Sequence, residues 1–74
     1  MAVQIIMNRS GDTRYEFSDT DTAAIARAEE RFRQLTAQGF RAVALGRDGG
    51  PGKLMRAFDA KAEQTLFIPP LQGG

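Results

Sequence analysis

Apolar positions open the chain with a strand-like beat. In Ala2-Val3-Gln4-Ile5-Ile6-Met7 the residues Val3, Ile5 and Met7 fall on one side. Turn chemistry follows from Asn8 to Asp12, where Ser10-Gly11-Asp12 joins backbone freedom to side chains that bond their own backbone. Thr13-Arg14-Tyr15-Glu16-Phe17 returns to strict alternation, with Tyr15 and Phe17 predicted inward and Arg14 and Glu16 outward. These seventeen residues therefore read as a β-hairpin.

The period then changes. Ser18-Asp19-Thr20-Asp21-Thr22 offers several N-caps. From Thr22 to Gln38 the residues Ile25, Ala28, Phe32 and Leu35 recur at helical spacing and form one apolar stripe. Arg27, Glu30, Arg31 and Gln34 are predicted on the opposite face, and Glu29 with Arg33 makes a favourable i,i+4 pair. Gly39 supplies the left-handed conformation common just past a helix end.

Strands resume in the second half. Arg41 to Leu45 is short and β-compatible. Gly46 to Gly52 carries four glycines and a proline, and reads as a loop. Lys53 to Phe58 is a further strand or a mixture of strand and turn, and Asp59 to Glu63 is a polar connection with room for one helical turn. Gln64 to Ile68 is apolar enough for a central strand, and Pro69-Pro70 ends it because neither residue has an N–H to donate.

The order β-β-α-β-(β)-β implies an α+β fold in which one helix lies across a mixed sheet of four or five strands. Its first and last strands are expected to pair in parallel at the centre. The predicted core holds Val3, Ile5, Tyr15, Phe17, Ile25, Phe32 and Leu35, with Val43 or Leu45 and Leu66 or Phe67 completing it. Residues 1–68 make the domain and 69–74 an extended tail pointing away from it.

Composition narrows the chemistry. A single domain of 74 residues buries only about 60–65% of the surface of its unfolded chain. Without cysteine or histidine it has no disulfide, no thiolate zinc site and no imidazole base, which removes two large groups of enzyme mechanisms, and nothing suggests a cofactor or a metal. A net charge of +1 argues against nucleic-acid binding. The apolar run Ile5-Ile6-Met7 is too short for a signal peptide or a membrane span, which leaves the cytoplasm as the expected location.

Several features have a plain reading beside a sharper one. Gly49-Gly50-Pro51-Gly52-Lys53 lacks the spacing of a phosphate-binding loop, because Leu54 follows the lysine and no glycine stands at Arg47 or Asp48. Asp19 and Asp21 are explained by helix capping without a metal. Arg27, Arg31 and Arg41 form either a basic strip for a partner or a solvated face. Lys53 and Lys61 are either acceptor amines or neutral surface lysines.

With the order of elements in place, the chain resembles ubiquitin and its relatives. Arg41-Ala42-Val43-Ala44-Leu45-Gly46 stands where that family has a short third strand and a glycine turn. Glu63-Gln64-Thr65-Leu66-Phe67-Ile68 resembles its last strand, and Leu71-Gln72-Gly73-Gly74 its tail. The layout matches over nearly the whole chain, while residue identity is low before the last dozen positions. The resemblance implies a β-grasp fold and a protein modifier. Gly74 would be adenylated, transferred as a thioester and conjugated to targets, with Gly73 giving slender access. Residues Pro69, Pro70, Leu71 and Gln72 would be read by partner enzymes. Glycine suits such a channel because it has no Cβ and leaves its carbonyl open to attack.

The outward faces of the third and last strands form the family's partner patch, which by position would be Val43 and Ile68. A one-residue shift swaps the faces of a strand, so the alternative reading points either residue into the core. The family's tail arginines are replaced here by Pro69, Pro70 and Gln72. In that respect the tail is similar to bacterial ubiquitin-like proteins encoded beside an activating enzyme, a conjugating enzyme and a JAB-type peptidase, in operons linked to anti-phage defence. Two alternatives stay open. One is a sulfur carrier whose C-terminus becomes a thiocarboxylate, and the other is a β-grasp interaction module that is never conjugated.

Overall fold

The computed structural model describes residues 1–46 and 51–71. The elements are β1 (Ala2–Asn8), β2 (Gly11–Phe17), α1 (Thr22–Ala37), β3 (Arg41–Leu45), β4 (Lys53–Met55) and β5 (Gln64–Ile68). The strands form one mixed sheet in the order β2-β1-β5-β3-β4, with β1 and β5 parallel at its centre and the other pairs antiparallel. The helix packs across one face. This is a β-grasp fold.

Local chemistry accounts for the ends of the elements. The hairpin turns tightly over Arg9 and Ser10, because Asn8 Oδ1 accepts from both the backbone N–H and the hydroxyl of Ser10, each at 2.9 Å. Asp21 is the N-cap of α1, its carboxylate accepting from the N–H of Ala24 at 3.1 Å. At the other end Gly39 has φ +99°, its N–H donates to the carbonyl of Thr36 at 3.0 Å, and that of Phe40 donates to Leu35 at 3.0 Å. These two bonds are a Schellman closure, and Leu35 and Phe40 pack against the same core beneath it. The Glu29–Arg33 pair forms at 3.4 Å on the exposed side.

The core differs from the sequence reading in register. Beneath the helix lie Ala2, Gln4 and Ile6, so Val3 and Ile5 turn to the opposite face. In β3 the helix-side residues are Ala42 and Ala44, which sends both Val43 and Leu45 outward, and in β5 Phe67 goes in while Leu66 goes out. The reason is spacing. Ala2, Ala28 and Ala42 let the helix approach closely, and the volume is filled by Phe17, Phe32, Phe58 and Phe67. Phe32 stands edge-on to Phe67 with ring centroids 5.8 Å apart, and edge-on to Phe58 at 6.0 Å.

One row across the sheet under the helix is polar: Tyr15, Gln4 and Thr65 are successive partners on β2, β1 and β5. Gln4 is 1% exposed. Its Nε2 donates to the Ala28 carbonyl at 3.0 Å, and its Oε1 accepts from Arg31 Nη1 at 2.7 Å. Arg31 was expected on the solvated face of the helix. Instead its guanidinium lies 3.8 Å from the centre of the Tyr15 ring, which explains how an inward tyrosine stays partly exposed.

Candidate functional site

The site foreseen in the sequence has two parts, a tail and a patch. Gln72, Gly73 and Gly74 lie outside the described residues, as do Arg47 to Gly50 of the glycine-rich loop. Leu71 is 95% exposed, so the chain leaves the body at Pro69-Pro70 with an apolar side chain held in water. Pro70 does not point clear of the domain, however. A Cβ placed on Gly39 would sit 3.2 Å from Pro70 Cβ, so the tail root leans on the exit of the helix.

Val43 and Ile68 both face away from the helix. Val43 pairs with Leu66 and Ile68 with Arg41 across neighbouring strands. The strand register extends this face well beyond those two residues. Ile5, Leu66, Val43 and Leu54 form one continuous row on β1, β5, β3 and β4, with Val3, Met7 and Leu45 on the same side. Exposure within it is uneven: Leu54 is 62% and Ile68 39% exposed, whereas Ile5 is buried and Val43 half-buried. The alternation of Val3, Ile5 and Met7 is the sequence signal for this face, which lies on the side of the sheet away from the helix.

Gly52 explains why Val43 is covered. Its backbone lies so close over the outer face that an added Cβ would collide with Val43 Cγ1 and approach Leu45 Cδ2 to 3.0 Å. Gly52→Ala is therefore expected to destabilise the domain by about 1–3 kcal/mol through overpacking. Val43→Ala in the same chain should restore part of the loss, which urea unfolding of both variants measures. A Gly52→Ala variant as stable as the parent would show that this part of the loop has no fixed seat.

Beside the tail root the surface opens into a cleft of about 810 Å³. Its walls are Arg9 and Ser10 of the hairpin turn, Gln38 and Phe40 at the helix exit, and the segment from Ile68 to Leu71. No sequence period signals it, since three separate elements contribute. The remaining candidates fall elsewhere. Lys53 is on edge strand β4 and Lys61 in the turn before β5, where its N–H donates to Asp59 Oδ1 at 2.9 Å. Arg27, Arg31 and Arg41 do not form one strip, because Arg31 is drawn over Tyr15 and Arg41 lies on the helix-free side of the sheet.

Among the described residues no helix is long and apolar enough to cross a membrane. Comparison of the chain with protein-family models, with curated proteins and with solved structures finds no match.

Proposed function

We propose that the chain is a ubiquitin-like protein modifier whose Gly74 carboxylate is adenylated, passed to an enzyme cysteine as a thioester, and joined to an amine on a target protein. The observation that carries this is the placement of β5. It is held on both sides, by β1 and β3, and runs through Pro69-Pro70 into an exposed Leu71 three residues after its end at Ile68. A tail rooted in a central strand can be pulled into a partner's channel without unzipping an edge. Two prolines leave the first tail residues without N–H groups to pair, and Gly73 and Gly74 are slender enough to reach a reacting centre.

The helix-free face supplies the second requirement. Ile68 is its last residue on β5 and the first before the tail, so an enzyme that grips Ile68 beside the half-covered Val43 also controls the tail's direction. The partners of this scheme are an activating enzyme, a conjugating enzyme and a JAB-type peptidase. It operates in the cytoplasm, where ATP is available for the adenylation. The carboxylate at Gly74 serves equally as the chain's own end or as one uncovered by peptidase cleavage.

The test is mass spectrometry of an N-terminally tagged chain ending at Gly74, recovered under denaturing conditions from its native cells. Adducts joined by an isopeptide bond from Gly74, lost when Gly73-Gly74 are deleted, are expected. A mass gain of sulfur for oxygen on the unconjugated protein would replace the modifier with a sulfur carrier. Neither species, together with full function of the deletion variant, would leave an interaction module.

A further inference from the structure

The geometry points to the cleft beside the tail root as a docking site for an acidic segment of a partner protein, one that sets carboxylates on Arg9 and Arg41 and an apolar side chain between them. Arg9 is part of the cleft wall, and Arg41 stands beside Ile68 in the β3–β5 pairing. One cation is thus in the wall, and the other is next to the strand residue from which the chain leaves the sheet. Both are exposed, and neither has a carboxylate partner among the described residues. The nearby acid of the hairpin, Asp12, is within 3.7 Å of Arg14 instead. No wall residue is acidic.

The walls also set the manner of recognition. Pro69 and Pro70 have no N–H, so a partner strand cannot pair with them as it would with a sheet edge. At the helix exit, the carbonyls of Gln34, Leu35 and Thr36 already accept from the N–H groups of Gln38, Gly39 and Phe40. These three N–H groups are therefore not free to receive a carboxylate, and the donors proposed for it are side chains. Phe40, Ile68 and the fully projecting Leu71 offer apolar surface, and the arginines offer fork-shaped donors for carboxylates. At about 810 Å³ the cleft has room for a bulky side chain. None of this requires Gly74 to be activated, so the site stands or falls apart from the proposed conjugation.

The test uses the whole chain, isotope-labelled, and a short random-peptide display library as the probe. Selected peptides are expected to carry Asp or Glu within two residues of a bulky apolar residue, and to shift the amide signals of Ser10, Gln38, Phe40 and Leu71. Charge reversal by Arg9→Glu or Arg41→Glu should weaken them by about tenfold, with a flatter salt dependence. Both side chains are exposed, and an unchanged thermal transition shows that each variant remains folded. No enrichment, enrichment of acid-free peptides, or shifts confined to the helix would overturn the inference. Concentration-dependent shifts of the same signals without peptide would do so as well, making a second copy of the chain the occupant.

Discussion

Phe67→Ala is expected to remove a large part of the domain's stability. The side chain is 0% exposed, lies at the centre of the sheet on β5, and meets Phe32 edge to face. Truncating a buried phenylalanine costs about 3–5 kcal/mol, because the neighbours close the cavity only in part. At about 0.05–0.15 kcal/mol per residue, a chain of 74 residues has roughly 4–11 kcal/mol in all. The loss is thus about a quarter of the total at the least, and a fall in Tm of at least about 12 °C follows for a domain of this size. Thermal unfolding followed by circular dichroism measures it.

The neighbouring residue provides the control. Ile68 lies on the other face at 39% exposure, and Ile68→Ala should cost under about 1 kcal/mol. If the two variants lost equal stability, the assignment of faces on β5 would be wrong, and with it the location of the patch.

Gln4→Ala carries the second large effect, an expected loss of about 2–4 kcal/mol. Two hydrogen bonds disappear with the side chain, an ordinary one to the Ala28 carbonyl and a charge-assisted one from Arg31. Such bonds contribute roughly 0.5–1.5 and 1.5–3 kcal/mol respectively, and a cavity is added beneath the helix. The orientation of the amide is fixed by its partners, since a guanidinium only donates and a carbonyl only accepts. Ala28 keeps its helical bond and Arg31 can turn to water, which holds the loss below the sum of the largest values. A double-mutant cycle with Arg31→Ala separates the pair term, and a coupling of about 1–2 kcal/mol is expected from urea unfolding. Strict additivity would mean that Arg31 contributes through Tyr15 alone.

Gln4 also marks where sequence reasoning went astray. In the run from Ala2 to Met7 the odd positions are all large and apolar, and the even ones contain a glutamine. Hydrophobicity alone places the odd set under the helix. The even set lies there instead, because Ala2 and Gln4 are slim or fully bonded and leave room for Phe17, Phe32 and Phe67. Val43 and Leu45 were displaced in the same way by Ala42 and Ala44. The sheet is apolar on both faces, so periodicity could find the strands without saying which side the helix covers.

The positions of the elements were legible because their signals are local. Asp21 caps the helix through a bond three residues away, Gly39 ends it with a backbone angle other residues avoid, and Pro69 closes β5 for want of an N–H. The tail and its glycines, too, are features of sequence. Tertiary structure alone decided which face of each strand is buried, that Arg31 turns inward to Gln4 and Tyr15, that Gly52 covers Val43, and that a turn, a helix exit and a tail root form one cleft. Each of these joins residues far apart in the chain, where the outcome depends on how volumes and hydrogen bonds are satisfied together and not on any local preference.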